Sequence, residues 1–414
     1  MWRERDFRLF FGGQTVSMTG SAVSRVALPL LGALTLHAGP LGVAALQACA
    51  WLPYLGLPLV AGVYLDRHRR RPVLIAANAA QAALLGLVPL LAAAGLLTLP
   101  IACAVALGSG VGAVFFSIGV VAYLPDLVGR DRLLIANSAV EATRNGSDVI
   151  GRGLAGIVVQ AVGAPVAILV DAVSYLVSVV TLAGIRRGEP DPVHDGDRPV
   201  LADLSRGMRF VFSSRVLRRL TAWLFTVNGL WNAFSVPYLL YALRDRHVGA
   251  GLWGVVLASS GVAALVGSAF APRLAARFGY GPTILVTGVM SGAPLILVPA
   301  VSGGTPVLVS VWIAAEALAG LGVGVANVLL TTLRTHITPP HLLGRVASAT
   351  RQLSFGAIPL GPLVGGLLAG TLGNRPTLLL LPALMIASSA LLVPVWPLRT
   401  VHAWQVPESS SSAA

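Results

Sequence analysis

The chain has 414 residues, of which 56% are hydrophobic and only 11% charged, against roughly 25% charged in a soluble protein. That balance excludes a conventional globular enzyme. The formal net charge of +13 raises nucleic acid as a partner, but every basic side chain apart from His is Arg, and the placement of those Arg residues answers to a membrane instead.

Apolar segments bounded by charge, Pro or Gly fall at 8–36, 41–64, 73–95, 99–123, 134–161, 165–185, 218–243, 252–275, 282–302, 306–330, 346–371 and 377–397. A bilayer-spanning helix takes about 20 apolar residues, so the chain is expected to be an all-α integral membrane protein of twelve transmembrane helices. The charged start that runs into the first segment is an uncleaved span rather than a secretory leader, because the stretch is long and has a counterpart after Arg219. With twelve spans both termini share one side, which carries 22 Arg against three on the other. By the positive-inside rule that side is cytoplasmic and the membrane is the cell (inner) membrane. The Arg are therefore orienting, and nucleic acid is set aside as a partner.

One long polar connection divides the chain. Its centre, "GEPDPVHDGDRP", has the composition of a tether, and "LADLSRGMRFVF" after it is amphipathic, suited to the cytoplasmic surface. The expected organisation is a six-helix bundle over 1–185, a cytoplasmic linker over 186–217, a second six-helix bundle over 218–397 and a disordered cytoplasmic tail over 398–414. A gap-free shift of 210 residues relates the halves. It lays "ANSAVEATRNGSDVIGRGLAG" (136–156) on "VASATRQLSFGAIPLGPLVGG" (346–366), "LDRHRRRPVLI" (65–75) on "AARFGYGPTIL" (275–285), and Gly110 and Gly112 on Gly320 and Gly322. Two parallel six-helix repeats are one known transporter architecture, with a binding site near mid-membrane at the interface.

The turn "GVYLDRHRRRP" (62–72), with "YLPDLVGRDRLLIANSAVEATRNGSDVIG" (123–151), "DAVSYLVS" (171–178) and "LLGRVASATRQLSFGAIPLGPLVGG" (342–366), resembles the major facilitator superfamily of transporters. It is most similar to the branch of macrolide-efflux proteins and the enterobactin exporter. The resemblance implies alternating access by two rocking halves, coupling to an inward proton gradient, a cavity lined by spans 1, 4, 7 and 10, and spans 3, 6, 9 and 12 outside it. It also implies that the turn between spans 2 and 3 is a gate. Gly62 would give a close approach there, Arg67, Arg69, Arg70 and Arg71 its charge, and Asp66 a latch against Arg351 at the start of span 11. Two features depart from the pattern of many drug antiporters: span 4 holds no charge, and Gly151-Arg152 stands where a Gly-Pro pair is usual, kept at Gly361-Pro362.

Charges inside spans are costly, about 2.5–3.5 kcal/mol each at the centre, and need a purpose. Glu141, Arg144, Asp148 and Arg152 share one face of span 5 with alternating sign, either as a structural ion-pair stripe or as a site where Glu141 or Asp148 changes partner during transport. Arg25 in span 1 needs a partner from another helix, Asp148 or Glu316. Glu316, the sole acid of span 10, is a candidate proton or substrate site, with Arg25 its counter-charge or an anion contact. Asp171 in span 6 reads as structural. Asn228, Trp231 and Asn232 in span 7 line the cavity or hydrogen-bond between helices.

Two Cys, each within an apolar run, and seven scattered His give no disulfide framework and no metal site, and no phosphate-binding loop occurs. The expected function is that of a secondary exporter of a small hydrophobic or amphiphilic molecule of the drug or antibiotic type. The expected partners are membrane lipid, substrate and protons. A monomer is expected, with no cofactor beyond the proton gradient. A dedicated exporter of a siderophore or secondary metabolite is the alternative. A membrane-embedded lipid-acting enzyme is a distant one, for which no reactive cluster is visible, and a non-transporting scaffold would not need the buried charges.

Overall fold

The computed structural model describes residue 2, residues 4–189 and residues 200–395. Among them there are helices and turns and no strand. Span 1 is Arg5–Leu30 ending in a wide turn at Leu31–Thr35, span 2 is Pro40–Trp51 continued by Leu57–Arg67, span 3 is Arg70–Ala93, span 4 Leu99–Val128, span 5 Leu133–Val162 and span 6 Ala164–Ala183. In the second half, span 7 is Arg215–Leu240 ending in a wide turn at Tyr241–Asp245, and span 8 is Ala250–Phe278. Span 9 is Tyr280–Ala300, span 10 Thr305–Ile337, span 11 Leu343–Leu372 and span 12 Asn374–Val393.

Of the described helices, eight are long and apolar enough to cross a bilayer on composition, and nine with the two arms of span 2 taken together. The remaining long helices, spans 1, 5 and 7, are the ones diluted by polar residues, such as Gln14 and Arg25 in span 1, Arg144 and Asp148 in span 5, and Asn228 and Asn232 in span 7. Packing against their neighbours lets them join the bundle, with polar faces turned to its interior or ends.

Span 2 bends by 49° between its arms, where Pro53, Gly56 and Pro58 interrupt the backbone hydrogen-bond ladder. Spans 9 and 11, expected to be continuous, are broken too, at Gly292–Pro294 and at Gly356–Pro359. Span 10 runs on to Ile337, past its expected end at 330, because Leu329, Leu333 and Ile337 continue a buried stripe at four-residue spacing. The amphipathic stretch forms the helix Val200–Ser213, which packs on the first arm of span 11 and on span 7. An added Cβ at Gly207 would lie 2.4 Å from the Arg345 carbonyl oxygen, so this helix rests on protein. The tether residues 190–199 and the tail 398–414 lie outside the described residues.

The 210-residue repeat extends to details of the backbone. The wide turns 31–35 and 241–245 are in register, as are His37 and His247, both with positive φ (48° and 52°), and Gly163 and Gly373, with φ of 84° and 89°. Glycines pack on equivalent partners as well. A Cβ at Gly110 would strike the carbonyl oxygen of Ala50, and one at Gly320 that of Ser260.

Two such contacts join the halves. Gly156 of span 5 lies against Ala250 and Gly254 of span 8, and Gly366 of span 11 against Pro40 and Ala44 of span 2. In lipid no hydrophobic force draws helices together, so backbones approaching over small residues supply the attraction. Hydrogen bonds between the halves follow the same seams. Ser235 donates to Gln47, and the Gly251 amide donates to Gln160 Oε1. Arg244 donates to the carbonyl oxygens of Ala33 and Ala38, and Gln352 donates to that of Leu55. These contacts run from mid-depth to the face opposite the arginine-rich one. Toward the arginine-rich face, Leu134 and Ile135 of span 5 are 80% and 60% exposed, and a Cβ at Gly62 or Gly146 would meet nothing within 4 Å.

Gly156→Val therefore drives a side chain into the Ala250 carbonyl, and we expect a stability loss of about 1–3 kcal/mol for overpacking. Gly146→Val should cost little. Thermal unfolding of the two purified variants in detergent checks the contrast, and equal losses would remove the seam from this account.

Candidate functional site

The first half encloses a cavity of about 290 Å³ whose walls come from spans 1 to 6. Span 1 supplies its polar side, because Ser17, Ser21 and Ser24 recur at helical spacing and face spans 5 and 6. Their hydroxyls are tolerable in an apolar helix because such groups bond backward to carbonyls, as Ser21 does to Ser17 and Thr19 to Thr15. Gly13 and Gly20 bring span 6 close, since a Cβ at either would overlap Thr181 or Ser174. Aromatic rings of Trp51, Tyr54, Phe116 and Tyr175 make up much of the rest of the wall.

The charge across this cavity is an ion pair between Arg25 and Asp148, with side chains 45% and 32% exposed although both lie well inside their spans. Arg25 thus takes one of its two expected partners. The span 5 stripe does not close on itself. Glu141 and Arg144 pair at 2.9 Å, Asp148 reaches across to span 1, and Arg152 lies where the charges of Asp148, Arg25 and Glu316 all act on it.

The residues around this cavity differ in part from those expected. Glu316 is buried beside Ser260 of span 8 and does not line the cavity, and neither do Asn228, Trp231 and Asn232. Toward the face opposite the arginine-rich one, an aromatic cluster fills the second half: Phe234, Trp253 and Trp312 surround Tyr238, with Tyr238 and Trp253 centroids 4.4 Å apart, and Tyr241 meets Trp312. Asn228 joins two helices, donating to the Ser354 carbonyl of span 11, while Asn232 donates within span 7 to the Asn228 carbonyl and Trp231 packs half-buried on the core. Conversely, spans 3 and 6, expected outside, contribute Gln81, Asp171 and Tyr175. Asp171 is buried and accepts hydrogen bonds from Ser21 at 3.3 Å and Ser174 at 3.1 Å. The sequence signal for it was its isolation among apolar residues in "ILVDAVSY".

The turn between spans 2 and 3 is largely tied to its own half. Arg70 pairs with Asp126 of span 4 at 2.5 Å. Arg71 donates to the Leu182 and Ala183 carbonyls at the end of span 6, and Glu189 accepts from the amides of Arg70 and Arg71. Asp6 accepts from the amides of Arg186 and Arg187, and Arg132 bonds Glu4, holding that carboxyl below its ordinary 4.5. These contacts brace the first bundle along its arginine-rich rim. Arg67 and Arg69 are exposed on the turn. Asp66 and Arg351 are exposed and are not joined here, the Arg351 guanidinium lying over the Phe355 ring at 5.6 Å. Nor is the close approach expected of Gly62 made, because the surfaces on this side stand apart.

For the Arg25–Asp148 pair, partial exposure limits the interaction to about 1 kcal/mol. We expect Arg25→Asp and Asp148→Arg each to lower thermal stability by at least that much, and the double exchange to recover most of it. A double variant no better than the singles would show that the pair contributes nothing.

The comparisons with known proteins agree with this geometry. A family model described as transmembrane secretion effector matches residues 2–412. The chain is 27% identical over 387 residues to the multidrug efflux pump Tap of Mycolicibacterium fortuitum, spanning 91% of this chain and 92% of that protein. It is 26% identical over 379 residues to the enterobactin exporter EntS of Salmonella typhimurium, spanning 90% and 86%. A solved bacterial homologue of the iron transporter ferroportin shares the fold with a TM-score of 0.72 at 18% identity, over 94% of this chain and 98% of the other. With a match over nearly its full length and twelve helices in two parallel repeats, the chain belongs to the transmembrane secretion effector family of the major facilitator superfamily, transporters rather than enzymes.

Proposed function

We propose that the chain exports a small, largely hydrophobic or amphiphilic molecule of the drug or antibiotic type across the cytoplasmic membrane by alternating access, in exchange for inward-moving protons. The observation that carries this reading is a cavity in a bundle closed on one side by backbone contacts and open toward the arginine-rich side. The positive-inside rule makes that side cytoplasmic, with both termini there, so the cavity stands where an exporter loads. Its chemistry fits an amphiphile. Aromatic faces supply apolar contact, while Ser and Gln side chains and one ion pair supply a few polar anchors. The names of the Tap and enterobactin-exporter relatives support export as the direction. A dedicated siderophore or secondary-metabolite exporter is the second reading, favoured by the enterobactin relative. In either case the chain works as a monomer with no bound cofactor, the proton gradient being the energy source.

The test is accumulation of a panel of antibiotics and siderophores in an efflux-deficient bacterium expressing the chain, with and without a proton uncoupler. We expect lowered accumulation of one or more antibiotics, abolished by the uncoupler. Lowering that persists under uncoupler would overturn proton coupling, and lowering confined to siderophores would favour the second reading.

The same reading gives Asp66 its purpose. When the halves rock to close the arginine-rich side, Asp66 and Arg351 come together as an ion pair. Asp66→Asn should impair efflux with insertion unchanged. A chain carrying Asp66→Cys together with Arg351→Cys should cross-link between those two positions on oxidation and arrest transport. Full efflux by the Asn variant would refute the latch.

A further inference from the structure

Asp171 has an environment that neither the family match nor the ion-pair pattern accounts for. It is buried, borders the cavity and has no cationic partner in hydrogen-bond contact among the described residues, because Arg25, the cation whose charge reaches it, is paired with Asp148. Its carboxylate accepts from Ser21 and Ser174, and the Ser21 hydroxyl is in turn 2.9 Å from the Tyr175 hydroxyl. Beside it the buried Ser24 hydroxyl is near enough to act on the carboxylate, although its present orientation completes no hydrogen bond. Gly20 lets the span 1 backbone close over the group, since a Cβ there would lie 2.9 Å from Asp171 Oδ1. Titratable groups facing this corner are Arg25 from span 1, Tyr175 from span 6, Tyr54 from span 2, and Asp148 and Arg144 from span 5 across the cavity. Span 3 adds only the uncharged Asn78 and Gln81, and span 4 the uncharged Ser109 and Ser117.

We propose that Asp171 is the proton-binding carboxylate of the transport cycle, and that Arg25 is a positive charge shared between it and Asp148. The proposal rests on the proton-exchange reading above. Both protonation states have their groups in place. The ionised carboxylate has two hydroxyl donors and Arg25 within electrostatic reach. On taking a proton from water in the cavity it becomes neutral, its O–H donates to the unpartnered Ser24 Oγ, and Arg25 is left wholly to Asp148. Loss of the proton restores the carboxylate, which draws Arg25 from Asp148. Since Asp148 rides on span 5, whose outer face forms a seam with span 8, that change is felt where the halves meet.

The test uses the full chain in lipid. In pH-difference infrared spectra we expect Asp171→Asn to lose a protonated-carboxyl C=O band that Asp148→Asn and Glu316→Gln retain. In inverted vesicles, ethidium uptake driven by an acid interior should fall about tenfold or more in Asp171→Asn, while ethidium exchange at equal pH persists. Should Asp171→Asn not insert, Ser24→Ala decides, by displacing or not displacing the pH profile of the band. A wild-type chain that moves ethidium with no response to the pH gradient would sink the proton-exchange reading itself. A wild-type response together with an unchanged band and drive in Asp171→Asn would sink Asp171 alone. Loss of exchange along with drive would make Asp171 structural and likewise overturn the assignment. If ethidium is not carried, the infrared band decides.

Discussion

The structure depends on how closely two backbones can approach in a solvent as apolar as their own side chains. Lipid offers no hydrophobic reward for bringing helices together, so the attraction between the halves has to come from contact area and hydrogen bonds. At Gly156 the backbones of Ala250 and Gly254 lie directly against the helix, and at Gly366 only the Ala44 methyl and the Pro40 carbonyl do. Hydrogen bonds such as Arg244 to the Ala33 and Ala38 carbonyls then form along the same lines. A seam built this way is held by many small terms rather than by one strong contact.

The two halves share a backbone plan but divide the chemistry. The first contains the cavity, the Arg25–Asp148 pair and the buried Asp171, and its rim is braced by Arg70, Arg71, Asp6 and Asp126. Toward the face opposite the arginine-rich one, the second half is filled by rings packed around Tyr238. Arg152, reached electrostatically by Glu316, is one place where the second half influences the charges of the first.

Much of the fold was legible because the bilayer enforces simple rules. Apolar runs, Arg asymmetry and a gap-free repeat were enough for twelve spans in two units, down to glycine positions such as Gly110 and Gly320. The interruptions at Gly292–Pro294 and Gly356–Pro359 were not foreseen, because Gly and Pro in a membrane helix are tolerated wherever neighbours satisfy the freed backbone groups. For the site, opposite sign and helical face limited the partner of Arg25 to two acids, and the structure selected Asp148. Which of Glu316, Asn228, Trp231 and Asn232 border the first-half cavity was not legible, because the lining of a cavity depends on what fills the space opposite. Tyr238, Trp253 and Trp312 are far apart in sequence and meet only in the folded bundle. Asp171 was passed over as structural because a span resembling an outer helix still turns one face inward.

The left-handed turns at Gly163 and Gly373, each joining two spans with hardly a residue between them, bear on how this chain can vary. One residue advances a helix by about 100°. A single insertion after Gly163 would rotate span 6 far enough to carry Asp171 from the cavity wall toward the acyl chains, with every side chain on that helix displaced alongside it. Both the length of these turns and the glycine at each are therefore rigidly specified. New substrate preferences can arise in such a scaffold by exchanging the residues of the first bundle in place, and hardly at all by lengthening its connections.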